Sequence, residues 1–245
     1  MYFWCSQGSV LGPVLFTIFT SPVSNIASLH NVYQHQYADD TQLFIFLFPT
    51  YFSAKISNLT GCLSALNFWF CINGLALNPD KSNAIVLGTR QRSASYSSFT
   101  TVEGAGSDIL LSDHIKVLGV TLDKHLTFND NVNSASRSAF YHIRAMRHIR
   151  SALIEDIAKT VACALVKAQL DYANSVLVGV TTKNVTRLQR AQNAVAQVVA
   201  WGTNRQSTSS SALLKHYHWF PIYQRIQFKI ACITYKTIHT TQPAY

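Results

Sequence analysis

Two neighbouring aspartates are the residues of this sequence best placed to do chemistry. Asp39 and Asp40 lie between an apolar run that ends at Tyr37 and a second apolar run over Leu43–Phe48. Carboxylate oxygens are the ligands that Mg²⁺ prefers in proteins, so the pair predicts a divalent-metal site. The alternative is an ordinary turn, because aspartate is frequent in turns for reasons of backbone hydrogen bonding.

Both apolar runs have the length of a strand. Because side chains alternate between the two faces of a strand, six successive apolar residues over Leu43–Phe48 predict a strand covered on both faces, as in the centre of a sheet packed on helices. Asp39 and Asp40 should then point in different directions. We expect Asp39 to join a metal cluster on one face and Asp40 to lie at the rim of the turn, and we rank Asp39 above Asp40.

A second segment, Gln7–Phe16, has the sequence QGSVLGPVLF and precedes the acidic turn. Its glycines allow a backbone to approach a ligand closely, and Pro13 suits the first turn of a helix. Taken alone, the segment is equally an ordinary Gly/Pro turn before a buried helix. Followed by Tyr-Ala-Asp-Asp, it resembles the reverse transcriptases of non-LTR retrotransposons, in which a Gln-Gly segment opens a helix beside the template. Ser6 stands where that family usually has proline.

The resemblance implies roles for further residues. It implies that Gln7, Gly8 and Tyr37 contact the template or the incoming nucleotide, and that Asp39 and Asp40 are the catalytic ligands of Mg²⁺ or Mn²⁺. The implied partners are an RNA template, a DNA primer and a deoxynucleoside triphosphate.

The resemblance continues through a predicted helix and the turn after it. Apolar residues at steps of three and four over Ile56–Phe70 predict an amphipathic helix that begins near Ser53 and ends at Asn73, and Ala84–Leu87 is typical of a strand. The family's lysine in the intervening block corresponds to Lys81, where a cation would neutralise the triphosphate. A solvated turn lysine is the alternative, because lysine is usually exposed.

A glycine-containing strand follows. Val117–Asp123 and the residues after it resemble the hairpin that holds the primer end in that family, which implies primer contacts at Leu118 and Gly119. A glycine inside a strand often marks a bulge or a close approach by another backbone. A plain strand bulge is the alternative.

Charge divides the chain. Residues 1–136 carry 6 Lys+Arg against 8 Asp+Glu and residues 137–245 carry 14 against 3, so the two parts have net charges of −2 and +11. A polyanionic partner for the second part follows from this asymmetry. Arg137, Arg144 and Arg147 would share one side of a helix and contact a nucleic-acid backbone. A solvated basic face is the alternative.

The fold class predicted is α+β. It comprises a partial polymerase palm, with an antiparallel sheet and packed helices, over residues 1–128, an all-helical thumb over 129–201 and a C-terminal helical extension over 202–245. Leu170–Asn174 and Leu188–Ala194 resemble the family's C-terminal signature. Residues 89–108 are rich in Ser, Thr and Gly, which predicts a loop or flexible hairpin.

Two-metal nucleotidyl transfer takes carboxylates from more than one strand. The family supplies its second aspartate upstream of the Gln-Gly segment, and this sequence begins six residues before Gln7. We therefore expect a truncated polymerase that is inactive alone and binds Mg²⁺ or Mn²⁺ weakly or not at all. The alternatives are a non-catalytic nucleic-acid-binding remnant that uses the basic helices and a decayed reading frame without function.

Composition sets the remaining limits. Five cysteines without a Cys-x-x-Cys pair indicate neither a zinc site nor a disulfide framework. The apolar runs are too short to span a bilayer and the first residues lack a secretory signal. We expect an intracellular protein, cytoplasmic or nuclear, without a membrane partner.

Overall fold

The computed structural model describes residues 11–104 and 106–241. The chain forms two compact units, one over Met1–Ile115 and the other over Lys116–Tyr245. Gln7 and Gly8 lie outside the described residues, so the structure gives no information on their predicted roles.

The described residues of the first unit form four helices, α1 (Gly12–Phe19), α2 (Pro22–Leu29), α3 (Phe52–Ile72) and α4 (Arg90–Ala94). Proline stands in the first turn of α1 and of α2, where its missing N–H costs nothing. Helix α3 confirms the helix predicted from its periodicity, and Asn73 ends it with Gly74 in a left-handed conformation at φ 74°. Helix α2 was not expected from the sequence.

The same described residues also form two antiparallel hairpins. The first pairs β1 (Tyr33–Tyr37) with β2 (Asp40–Phe44), and the second pairs β3 (Thr101–Gly104) with β4 (Ser107–Leu110). The second hairpin and α4 lie in the Ser/Thr/Gly-rich stretch predicted as a loop or hairpin.

Two strand predictions are wrong in extent. The predicted strand Leu43–Phe48 ends at Phe44, because β2 has a hydrogen-bonding partner only as far as Tyr33 opposite Phe44. Among the described residues its sheet has two strands, so β2 does not lie at the centre of a larger sheet. Ala84–Leu87 forms a single parallel bridge from Ala84 to Leu111 and no strand. Apolar composition gave both segments strand character, but a strand also needs a ladder partner.

The core of the first unit is small. Six buried apolar side chains from α2, α3 and the residue before β1 form it: Val23, Ala27, Val32, Cys62, Leu66 and Phe70. Leu43 and Ile45 pack against this cluster from the hairpin. No residue of α1 is buried.

A third hairpin pairs β5 (His114–Val117) with β6 (Val120–Asp123). The predicted glycine-containing strand over Val117–Asp123 is therefore interrupted, and Gly119 lies in the turn between two strands and not inside one. Helices then follow in the order α5 (Asn129–Ile149), α6 (Glu155–Ala162), α7 (Ala168–Asp171), α8 (Thr182–Ala200), α9 (Ser210–His216) and α10 (Ile222–Thr240). A π-helical turn over Cys163–Lys167 joins α6 to α7.

One continuous core holds these helices together. Val132, Ile143 and Met146 from α5 meet Leu188 and the small side chains of α8, and α9 and α10 close the cluster through Leu213, Ile222 and Ile226. Alanines at fully buried positions of α8 allow the helices to approach closely. The predicted division of the helices into a thumb over 129–201 and an extension over 202–245 concerns family relationships and stays a prediction.

A buried arginine fixes the C-terminal end of α8. Arg150 is 5% exposed, and its guanidinium donates to the carbonyl oxygens of Val198, Val199 and Leu153 at 2.6–3.1 Å. The last carbonyls of a helix lack intrahelical donors and carry partial negative charge, so a cation there satisfies both needs.

The α+β class predicted from the sequence is confirmed. Among the described helices, none combines the length and the apolar content that crossing a bilayer requires.

Candidate functional site

The two carboxylates lie at the tip of the first hairpin. Pairing between β1 and β2 continues to Tyr37 opposite Asp40, so Ala38 and Asp39 alone form the turn. Ala38 has φ 53°, a left-handed conformation that is uncommon for residues other than glycine. Both aspartates are exposed. The rim of the turn therefore belongs to Asp39 and the ladder position to Asp40, the reverse of our expectation, because the ladder begins at Asp40, three residues before the apolar run that starts at Leu43.

A glutamine holds the turn in place. The amide of Gln36 donates to the carbonyl oxygen of Ala38 at 3.0 Å and to Oγ1 of Thr20 at 3.0 Å. Thr20 is 1% exposed at the end of α1 and donates in turn to the carbonyl of Phe16. The acidic turn is thus tied to the helix that follows the Gln-Gly segment. Gln36 was not identified from the sequence, where it is only one polar residue within β1. The structure shows that its side chain lies on the half-buried side of that strand.

The open face of this hairpin is aromatic. Tyr33 stacks on Phe44 with ring centroids 5.3 Å apart, and His35 stacks on the same ring at 5.3 Å. The register places Tyr37 and Asp40 on this face as well, and Tyr37 is 67% exposed. Asp40 therefore shares a surface with rings, whereas Asp39 stands at the end of the hairpin.

Lys81 lies on a separate turn of the same unit. It ends the 3₁₀ turn Pro79–Lys81, and the side-chain oxygen of Asn78 accepts from the backbone N–H groups of Asp80 and Lys81 at 3.0 and 3.3 Å. This cap fixes the backbone and leaves the lysine side chain exposed. The structure brings Tyr37, Asp39 and Asp40 together in one hairpin, and the nucleotide role of Lys81 stays a prediction.

Leu118 and Gly119 form the two-residue turn between β5 and β6. Both have positive φ values, 45° and 84°. The hydroxyl of Tyr172 donates to the carbonyl oxygen of Leu118, and a Cβ at position 119 would lie 3.3 Å from the tyrosine ring. The glycine is therefore required by its own turn and by a neighbour within the unit. Primer contact at these residues stays a prediction.

The three arginines predicted to bind a nucleic-acid backbone lie on the exposed side of α5. Arg137, Arg144 and Arg147 are exposed, while Val132 and Ile143 on the other side are buried. Within the described part of the chain, none of the three arginines forms an ion pair. Tyr141 stands among them and is 68% exposed.

Acidic groups of the second unit are largely engaged elsewhere. Glu155 pairs with Arg205 at 3.0 Å and accepts from the hydroxyl of Tyr217 at 2.9 Å. Burial and this hydrogen bond to Glu155 raise the pKa of Tyr217. Asp171 forms a two-pronged pair with Arg225, which agrees with a structural and not a catalytic role for Asp171. The exposed cations of the helices are left with little opposing charge.

Asp123 organises the start of α5. Its carboxylate accepts from the backbone N–H groups of His125, Thr127 and Phe128 and from the Thr127 hydroxyl, at 2.7–3.1 Å. Burial raises the pKa of Asp123, but these hydrogen bonds outweigh it and the pKa is lowered. A carboxylate engaged in this way is a part of the turn and a poor candidate for a metal ligand.

The donor chemistry of the hairpin suits a hard cation, since it offers two exposed carboxylates. Over residues 11–104 and 106–241, no group of three or more His, Cys, Asp or Glu side chains is arranged to hold a metal ion. The hairpin thus presents two potential ligands, Asp39 in its turn and Asp40 at the start of β2.

Comparison with known proteins gives one match. Residues 2–122 match the family model described as "Reverse transcriptase (RNA-dependent DNA polymerase)". The matched region includes the acidic hairpin, Lys81 and the Leu118–Gly119 turn, and it ends within β6. No curated protein and no solved structure gives a significant match.

Proposed function

We propose that this chain is part of the RNA-directed DNA polymerase of a non-LTR retrotransposon. The observation that carries the proposal is a two-residue hairpin bearing Asp39 in its turn and Asp40 beside it, inside the region that matches the reverse transcriptase model. The hairpin is tied through Gln36 to α1, which directly follows the Gln-Gly segment. On this proposal, residues 1–128 belong to the palm, 129–201 to the thumb and 202–245 to its extension.

Asp39 and Asp40 would hold Mg²⁺ or Mn²⁺ in this proposal. Divalent cations bound there would lower the pKa of the primer hydroxyl and stabilise the charge of the leaving pyrophosphate. Asp39 is the stronger ligand, because it stands free at the end of the hairpin, whereas Asp40 shares its face with Tyr37. Lys81 neutralises charge on the triphosphate, and Leu118 and Gly119 contact the primer end.

The helical unit binds the template–primer duplex. Residues 116–245 carry 16 Lys+Arg against 5 Asp+Glu. Two of those acids are paired with Arg205 and Arg225, and Asp123 is occupied by its own turn. Each exposed cation that meets a phosphate releases a counterion, so binding is salt-dependent. Arg137, Arg144 and Arg147 supply these contacts on α5.

The 245-residue chain alone is expected not to extend a primer. Two-metal chemistry takes carboxylates from more than one strand, and the hairpin supplies one from its turn and one from a single strand, β2. Metal binding by the hairpin alone is accordingly weak. Primer extension with Mg²⁺ or Mn²⁺ that disappears in Asp39→Ala would overturn the inactivity and establish polymerisation by this chain.

Binding of an RNA–DNA hybrid tests the assignment. We expect millimolar Mn²⁺ to strengthen hybrid binding by the wild type relative to Asp39→Asn, because metal at the hairpin links the protein to phosphate. Without metal, Asp39→Asn should bind as well as the wild type or slightly better, because a negative charge is removed. The exposed turn aspartate Asp80 provides the matched control variant, Asp80→Asn.

A non-catalytic nucleic-acid-binding protein is the second candidate, favoured by the unpaired arginines of α5. It predicts hybrid binding that weakens with salt, that is lost when Arg137, Arg144 and Arg147 are replaced, and that is indifferent to Asp39→Asn with or without Mn²⁺. The metal response of Asp39 therefore separates the two candidates.

A further inference from the structure

The C-terminal half of α10 projects from the core of the helical unit. Ile222 and Ile226 are 2% and 3% exposed and anchor the first turns of the helix. Beyond Ile230, all described positions of α10 are exposed except Cys232, which is half-buried. Phe228 and Tyr235 are exposed by 59% and 64%. Two aromatic rings therefore stand in solvent on a helix that the core holds at one end only.

These rings belong to a repeated pair of residues. Phe228 is followed by Lys229, and Tyr235 is followed by Lys236, seven residues later. Seven residues advance a helix by about 10.5 Å and return it to within about 20° of the same direction. The two aromatic–lysine pairs therefore face the same way, one above the other.

A second aromatic ring packs against each of the two rings, Phe228 and Tyr235. The Phe220 ring lies 5.9 Å from that of Phe228, and the His239 ring lies 4.1 Å from that of Tyr235. Such contacts restrict the rotation of an exposed ring and keep it ready for a planar ligand. On the helical wheel the two rings lie roughly opposite Ile226, so they are not a continuation of the apolar stripe that enters the core.

The charge of α10 has one sign. The helix contains Arg225, Lys229 and Lys236 and no acidic residue. Arg225 is paired with Asp171, whereas Lys229 and Lys236 are exposed. An anionic partner with planar rings is complementary to this surface.

We propose that the Phe228–Lys229 and Tyr235–Lys236 pairs form a binding site for single-stranded nucleic acid. Bases stack on the two rings, and the adjacent ammonium groups contact the phosphates between them. Single strands fit because their base faces are open, whereas the bases of a duplex are stacked on one another. The site lies outside residues 2–122 and does not depend on the polymerase assignment.

Binding of a labelled single strand to the full chain tests the site. With an oligouridine of roughly 12 nucleotides, within the range that aromatic platforms bind, Tyr235→Ala should weaken binding at least about fivefold, the low end for loss of one stacked base. Tyr235→Trp should restore the affinity, because the indole ring stacks equally well. Replacing Lys229 and Lys236 with glutamine should lower the salt slope of binding by about 0.7 for each lysine.

Tyr223→Ala is the matched control. Tyr223 is 62% exposed on the same helix but lies about a third of a turn away from Tyr235. Its replacement should leave single-strand binding unchanged, and neither tyrosine variant should alter the binding of a duplex of the same length.

Three results would overturn the proposal. These are an equal loss in Tyr223→Ala and Tyr235→Ala, an equal loss of duplex and single-strand binding in Tyr235→Ala, or Tyr235-dependent binding to phosphatidylserine vesicles without binding to the oligouridine. None of them bears on Asp39, so failure here leaves the metal test of the polymerase assignment intact.

Discussion

The two units of the chain differ in how much of their surface they bury. Among the described residues, the core of Met1–Ile115 consists of six apolar side chains, whereas that of Lys116–Tyr245 consists of 24. Since buried apolar surface is the main source of stability, the helical unit should be much the more stable. The carboxylate hairpin, the strongest chemical signal of the sequence, lies in the weaker unit. Functional turns are commonly found in the less stable parts of a fold.

The sharpest test of this difference is one substitution made in each core. Leu66→Ala and Leu188→Ala each remove a fully buried leucine, at a cost of about 2–5 kcal/mol. Leu66→Ala should unfold the first unit, because the free energy of unfolding that its small core provides is no larger than this loss. Leu188→Ala should only lower the unfolding midpoint of the second unit. Hydrogen exchange of the two units measures both effects. Loss of protection in the helical unit of Leu188→Ala, with the first unit of Leu66→Ala still protected, would contradict the comparison.

Arg150→Met tests the buried end of α8. The substitution keeps most of the side-chain volume but removes the guanidinium donors to the carbonyl oxygens of Val198, Val199 and Leu153. We expect a loss of about 2–4 kcal/mol, because three buried carbonyls lose hydrogen bonds from a charged group. Urea unfolding of the helical unit measures the change. Arg147→Met, at an exposed position of α5, is the control and should change stability by less than about 0.5 kcal/mol.

Asp123→Asn should make the helical unit less sensitive to acid. A lowered pKa stabilises the folded state above the ordinary carboxyl pKa of about 3.9, and this stability is lost as the pH falls through the lower folded value. The amide would cost about 2 kcal/mol at neutral pH, because its NH₂ group cannot accept from the turn. The difference from the wild type should shrink below about pH 4.

Unfolding free energy measured between neutral and acidic pH checks this prediction. Asp156→Asn, on the exposed side of α6, is the control and should follow the wild type. A gap between the wild type and Asp123→Asn that stays constant with pH would mean that the carboxylate charge does not stabilise the turn.

Replacing Arg137, Arg144 and Arg147 with glutamine should change binding and leave stability intact. The salt slope of duplex binding should fall by about 0.9 for each phosphate that an arginine no longer neutralises, and the unfolding free energy should change by less than about 0.5 kcal/mol. Arg90→Gln with Arg92→Gln is the control from the first unit, which has 4 Lys+Arg against 6 Asp+Glu. An equal fall in slope for the control would mean that both units bind nucleic acid alike.

Local patterns predicted much of this fold. Periodicity indicated α3, the spacing of three arginines indicated α5, and the turn residues indicated the hairpin at Asp39 and the loop or hairpin over 89–108. The extent of β2 could not be predicted, because it depends on which strand is available to pair and not on the apolar residues themselves. The capping role of Arg150 had no signal either, since a basic residue at a helix end is usually exposed and its two partners on α8 lie almost 50 positions away.

The candidate site was predictable to the level of residue types. The sequence indicated a turn at Asp39 and Asp40, but it placed Asp40 at the rim of the turn, where the structure has Asp39. A shift of one residue in the strand register exchanges the two positions, and the sequence does not fix that register. Gln36 and Thr20, which tie the turn to α1, are uncharged side chains brought together from different elements. Only the three-dimensional arrangement reveals them.

The central claim is that the acidic hairpin binds divalent metal. Mn²⁺-induced broadening of backbone amide resonances tests this claim most directly. This measurement detects weak sites and assigns them to residues. We predict that millimolar Mn²⁺ broadens the resonances of Ala38, Asp39 and Asp40 first, and that Asp39→Asn combined with Asp40→Asn abolishes this effect while Asp80→Asn does not. If the hairpin resonances broaden no more than those around Asp80, or broaden equally in the double variant, the claim is wrong.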